Sequence, residues 1–314
     1  MINVYEQFEL TLGNHLQYWF NDNRGQHWRN DPLEVAHCCV GENYINAQSK
    51  TFNQSITDTA NVFYSRHGSD FLLFLSGGLD SEVALQTFIN AKNTVKPFII
   101  RFTNELNKED VSDALRLCNT NGIEPIIYEF DPLQFFHSGE WKRVAETYQC
   151  YTFYQQMLIY IAERTRKPMI TVDEVEVAKL SDKWYFVKKE DQDGCWHRFV
   201  ERTSCPAYNN FYTYDPATIL AFIQSPTVQN LINDKIPGKL GWNSSKHKIY
   251  TELTDFDLIP RNKRHGMERL MHIWWYVLEH TARILHNSPV DFKFEATSII
   301  PQLSTGKGLI CNSL

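Results

Sequence analysis

A doubly wound parallel α/β sheet is the fold class this sequence predicts, and three observations predict it. Short apolar runs alternate with amphipathic helical stretches from Asp70 to about residue 180. The runs are continuously apolar, as in strands covered by helices on both faces. The first of them breaks off into Ser-Gly-Gly and a helix start, the strand–turn–helix unit of such sheets.

The elements follow in order. Residues 1–65 read as a helical N-terminal region, with helical patterning in "VYEQFELTLGNHLQYWF" and again in "SITDTANVFYSRHG", where Ser55 is the expected cap. Residues 66–180 hold the α/β domain: "FLLFL", a helix, "PFIIRF", "KEDVSDALRLCNTNG", "IEPIIYEF", "TFYQQMLIYIAERTR" and "PMITV". In its second helix, Val111, Ala114, Leu115, Leu117 and Cys118 make an apolar stripe that Asn121-Gly122 ends. Residues 181–314 read as a β-hairpin insertion followed by a mostly helical region. The hairpin is expected in "KWYFVKKEDQDGCWHRFVER" with its turn at Asp193-Gly194. Asp215 and Pro216 then open one helix, and "GMERLMHIWWYVLEHTARILHN" forms a longer one. Consecutive Trp274, Trp275 and Tyr276 cannot share one face, which implies a helix covered on more than one side or an oligomer contact.

Composition narrows the function. The chain has 314 residues, 43% apolar, and a net charge of −6, so no global basic field draws it to nucleic acid or anionic membrane. No apolar run is long enough to span a bilayer, and the start lacks a basic, then apolar, leader pattern; a soluble, cytoplasmic protein is expected. Seven cysteines without framework spacing or CxxC point to reduced thiols. Cys195, His197 and Cys205 match no common zinc knuckle, His37–Cys39 has no evident partner, and His265, His272, His280 and His286 lie on one helix without HExxH, so packing or surface roles are expected.

The chemistry concentrates in "FLLFLSGGLDSEVALQTF". A parallel strand turning directly into a helix delivers backbone N–H groups and the positive helix end to the carboxyl edge of the sheet. Gly77 and Gly78 leave room for an anion, and Ser76 and Ser81 add hydroxyl donors. Asp80 would repel bare phosphate, so its presence argues for Mg²⁺ and a polyphosphate. The bland alternative is a tight turn with Asp80 favouring the helix dipole. A Walker A loop is absent, since Gly306-Lys307 has Pro301 and Gly308 at the flanking positions, and GxGxxG is absent too.

"SGGLDS" at Ser76–Ser81 resembles the pyrophosphate-binding loop of the PP-loop ATP pyrophosphatases. The resemblance implies cleavage of ATP between the α and β phosphates, adenylation of a substrate oxygen and displacement of AMP by a nucleophile. Three further stretches resemble the asparagine synthetase branch. "FIIRFTNELNKEDVSDALRLCNTNGIEPIIYEF" is similar to its second and third strands. "PMITVDEVEV" places Asp173 where that branch pairs a second Asp with the loop Asp in holding Mg²⁺. "SKHKIYTELTDFDLIPRNKRHGM" makes Lys246 and Lys263 the matching basic residues, expected to stabilise charge on the α-phosphate and the leaving pyrophosphate.

Departures limit the match. Position 2 is Ile rather than a catalytic Cys, the stretch before the loop is shorter than a glutaminase domain of the usual length, so glutamine hydrolysis is not expected of these residues, and Ile170 stands at the position of a catalytic Glu. Ile249-Tyr250 replaces a Leu-Arg, and "RNKRHGM" has one extra residue. The expectation is an ATP-dependent ligase or amide synthetase with ATP and Mg²⁺ as cofactors. It would act on a small-molecule acceptor other than aspartate, with free or separately supplied ammonia, or an amine, as nucleophile. A PP-loop enzyme modifying a tRNA or DNA nucleobase and a non-catalytic nucleotide-binding protein are the alternatives.

Overall fold

The computed structural model describes residues 16–21, 35–40, 50–175, 177–180, 183–189, 194–233, 246–261, 266–285 and 291–295. The N-terminal region is helical only in part. β1 (Leu16–Asn21) and β2 (Val35–Val40) pair antiparallel, so "LQYWFN" is a strand and not the end of a helix. Aromatic and β-branched residues fit a pleated pair better than a helix, which explains the difference. α1 (Phe52–His67) follows. Its cap is Thr51, not Ser55: Thr51 Oγ1 accepts from Gln54 N at 3.2 Å while Gln54 Oε1 accepts from Thr51 N at 2.9 Å. This reciprocal box fixes the helix start one turn early and leaves Ser55 buried inside it.

The α/β core then runs β3 (Leu72–Phe74), α2 (Leu79–Asn90), β4 (Lys96–Phe102), α3 (Lys108–Thr120), β5 (Ile126–Phe130), α4 (Pro132–His137), α5 (Glu140–Tyr148), α6 (Phe153–Thr165) and β6 (Met169–Ile170). The hairpin insertion is present but displaced. β7 (Val177–Leu180) pairs with β8 (Lys183–Lys189), and residues 195–203 are helix α7 (Cys195–Thr203) with Gly194 as its N-cap. Gly194 therefore starts a helix whose apolar face buries Trp196, Phe199 and Val200, and that burial overrides the Asp193-Gly194 turn signal.

β9 (Ala207–Tyr208), α8 (Pro216–Gln224), α9 (Pro226–Asn233), α10 (Lys246–Thr254), α11 (Met271–Leu285) and β10 (Asp291–Glu295) complete the chain. Asp215 caps α8 as expected, accepting from Ala217 N at 2.9 Å. β10 adds to the far edge of β8.

Five strands form one parallel sheet in the order β5-β4-β3-β6-β9. The α/β fold is thus doubly wound, and its fifth strand comes from beyond residue 180. Alternation along β3 divides the core: Leu73 packs with α1, α2, α3, α8 and α10, whereas Leu72 and Phe74 pack with α5, α6, α7 and α11. The chain winds from β3 outward through β4 and β5, then returns to add β6 on the other side. Between β3 and β6 the strand order reverses, and neighbouring loops part there to leave a crevice at the carboxyl edge.

Candidate active site

The crevice between the ends of β3 and β6 is a cavity of about 540 Å³, within the range that holds a small-molecule ligand. Ser76, Gly77, Gly78 and Asp80 line it from one side, Asp173 and Glu174 from the other, and Lys246 from α10. Six of the eight residues singled out from sequence therefore line it, and Ser81 lies behind the loop. Lys263, the eighth, lies outside the described residues.

Loop geometry follows from its glycines. Gly77 has φ +79°, and a Cβ on it would stand 2.3 Å from Asp110 O and 2.8 Å from Ala114 N, so the loop lies hard against the first turns of α3. Gly78 is the N-cap of α2, and the first-turn N–H groups have no carbonyl within the helix to bond. Ser81 supports the turn rather than facing the cavity: it is buried, donates to Gly78 O at 2.9 Å and lies 3.2 Å from Ser76 Oγ.

Asp80 is the hub. Lys246 Nζ donates to its Oδ2 at 2.5 Å, Tyr250 OH donates to its Oδ1 at 2.7 Å, and Tyr212 OH donates to its backbone carbonyl at 2.7 Å. Lys246 Nζ also lies 3.5 Å from Glu174 Oε2. Burial alone would strip the charge from this 9%-exposed ammonium, but Asp80, Glu174 and Asp173 outweigh burial and hold its pKa above the ordinary 10.5. The phenols of Tyr250 and Tyr212 are pushed far upward, by burial first and then by the Asp80 charge, so both stay protonated donors.

Arg261, also on the cavity wall, clamps the loop. Its guanidinium donates to Gly77 O and to the carboxylate of Glu82, which is 1% exposed in the first turn of α2. Burial raises the Glu82 pKa, with Arg261 acting against it. On the β6 side, Asn210 holds the acidic pair in place. Its Oδ1 accepts from Asp173 N at 3.3 Å and its Nδ2 donates to Glu174 O at 2.8 Å. The φ of +56° that permits this is one asparagine tolerates better than most residues.

Tyr250, Tyr212, Glu82, Arg261 and Asn210 are the residues sequence reading missed as site members. Tyr250 occupies the position where the asparagine synthetase pattern has an Arg, and no local signal marks the other four. Ile170, by contrast, is a wholly buried strand residue in the core and supplies no acid to the cavity.

Part of the wall is apolar, with Ile100, Phe102, Met157, Met267, Met271 and Trp274. A flat base suits that wall, and the polar end suits phosphate. Acidic side chains predominate at the polar end, where Asp80, Asp110, Asp113, Asp173 and Glu174 outnumber Lys246 and Arg261. No three Asp, Glu, His or Cys side chains among the described residues converge on one point, so these residues do not cage a metal by themselves. Mg²⁺ characteristically takes one or two carboxylates and completes its shell with phosphate oxygens and water, and the site fits an ion of that kind. Elsewhere, Cys118, Cys150, Cys195 and Cys205 are buried thiols, and burial lowers His197 to a pKa of about 3. No helix among the described residues is long and apolar enough to cross a membrane.

No family model matches the sequence, and no curated protein matches it. Solved structures do superpose. NMN synthetase from Francisella tularensis aligns at 13% identity with a TM-score of 0.32, covering 76% of this chain and 95% of that one. The NH3-dependent NAD synthetase from Campylobacter jejuni aligns at 14% identity and a TM-score of 0.31, covering 76% and 96%. U34-tRNA thiolase NcsA from Methanococcus maripaludis aligns at 10% identity and a TM-score of 0.30, covering 76% and 80%. Superpositions of this quality carry no inference about reaction or substrate.

Proposed function

We propose that this chain is an ATP-dependent ligase of the PP-loop pyrophosphatase type, forming AMP and pyrophosphate. The supporting observation is one juxtaposition: the glycine-bearing loop at the start of α2 shares its cavity with Lys246, a buried lysine delivered from 166 residues away onto Asp80. A buried cation, fixed by two carboxylates beside a phosphate cradle, is an arrangement for charge that develops during reaction.

In this reading the N–H groups of the loop and the Ser76 hydroxyl receive the β and γ phosphates, and the base lies on the apolar wall. Asp80 and Asp173 would hold Mg²⁺ brought in with the nucleotide; the ion offsets the phosphate charge that so acidic a cavity would otherwise repel. An acceptor oxygen attacks the α-phosphorus, the bond to the bridging oxygen breaks, and pyrophosphate leaves. Lys246 stabilises the charge that grows on the α-phosphate and leaving group. Ammonia or an amine then attacks the adenylated carbon, and AMP departs with the acceptor oxygen.

An asparagine synthetase-like chemistry with a different acceptor suits the site, since the loop, Asp173 and Lys246 are present while Ile170 removes the acid found in that branch. Product analysis tests the reading. With Mg-ATP and a productive acceptor, AMP and pyrophosphate are expected; ADP and phosphate would sink it.

A further inference from the structure

Gln155, in the first turn of α6, is 4% exposed and lines the cavity. The indole N–H of Trp196 donates to Gln155 Oε1 at 2.8 Å. An indole nitrogen donates only, so this bond settles which end of the amide is which. The oxygen is committed to Trp196, and Nε2 has no partner among the described residues. Trp196 is 2% exposed and packs edge-on against Phe199 at 5.8 Å, so the anchor is itself held. An amide NH₂ with neither hydrogen bonded to the described residues, reachable from the cavity it lines, is a donor open to an acceptor.

Its neighbours on α6 add to that donor, against the negative charge that Asp110 and Asp173 put into the same cavity. Thr152, the cap of α6, and Tyr154 line the same stretch of wall, and the N-terminal end of a 13-residue helix favours negative charge. A carboxylate presents acceptors alone.

Resting on the ligase reading above, we propose that Gln155 determines acceptor specificity: its amide NH₂, oriented by Trp196, binds a carboxylate of the acceptor at the N-terminal end of α6. The test combines calorimetric titration of Mg-ATP with ATP–pyrophosphate exchange over L-aspartate, L-glutamate, nicotinate and benzoate. Gln155→Glu keeps an oxygen for Trp196 and replaces the donor with a charge; Gln155→Leu removes the donor without adding one. For a carboxylate the wild type activates, both variants should raise KM by about 10- to 100-fold, with the Mg-ATP Kd changed by less than about twofold. Unchanged KM in both variants, or a loss confined to Mg-ATP affinity, overturns the assignment. So does a wild type that binds Mg-ATP but exchanges with none of the four acids, which leaves the nucleotide site standing. A wild type that fails to bind Mg-ATP overturns the ligase reading itself.

Discussion

Replacing Arg261 with Met isolates what holds the phosphate loop. Glu82 is 1% exposed, and Arg261 is its cationic partner and the donor to Gly77 O. Breaking a buried ion pair from one side costs roughly 3–5 kcal/mol, because the remaining charge stays buried. Losing the donor to Gly77 O adds about 1 kcal/mol. The loss depends on pH with a definite sign. Burial raises the folded-state pKa of Glu82 above 4.5, and Arg261 opposes that rise. Between 4.5 and the folded value the native state holds a proton the unfolded chain lacks, so stability falls as pH rises through that window. Removing Arg261 lifts the folded value further and widens the window upward. Urea unfolding at about pH 8 should therefore show Arg261→Met less stable by roughly 4 kcal/mol, with a smaller deficit near pH 5.5. Adding Glu82→Gln in that background should recover part of it. A deficit under about 1 kcal/mol, or one equal at both pH values, would refute the reasoning.

Gly77→Ala meets Asp110 O at 2.3 Å with φ at +79°. The backbone conformation alone should cost about 1–2 kcal/mol, read as a lower midpoint in thermal unfolding, and Mg-ATP affinity should fall with it. Lys246→Met leaves Asp80 bonded by Tyr250 but without its cation, so it should lower stability as well as slow adenylation by about 10²- to 10³-fold in single-turnover kinetics on the folded protein. Because Lys246 is held above 10.5, the wild-type pH–rate profile should show no loss traceable to it below about pH 10. Burial pushes the Cys118 thiol up to about 11, so mass spectrometry should find it unalkylated by iodoacetamide in the native protein at about pH 8.

The sheet was legible wherever a strand and its helix each spanned enough residues to show a period. "FLLFL", "PFIIRF" and "IEPIIYEF" became β3, β4 and β5, and the α3 stripe is as expected. β9, at two residues, has no period to read, and its place beside β6 is set by pairing alone. Local turn chemistry misled twice. Ser55 and Asp193-Gly194 both have suitable residue types, but the Thr51 capping box and the burial of Trp196 settle those positions.

In the site, the loop announces itself because its requirements are local: glycines, hydroxyls and a helix start. Its supports do not, because Tyr212, Tyr250 and Arg261 reach it from 132, 170 and 184 residues away. A tyrosine that will donate to a buried carboxylate looks, in sequence, like any core tyrosine. Lys246 was found only through resemblance, and the fold explains why such a residue matters: α10 alone brings a buried lysine to Asp80 among the described residues.

ATP–pyrophosphate exchange with Mg²⁺, run across a broad acceptor panel in the wild type, Asp80→Asn and Lys246→Met, tests the ligase assignment most directly. Exchange that requires one acceptor class and disappears in both variants, while calorimetry still shows nucleotide binding in Lys246→Met, is the predicted result. Tight Mg-ATP binding with no exchange for any acceptor, or exchange undiminished in Lys246→Met, would contradict it.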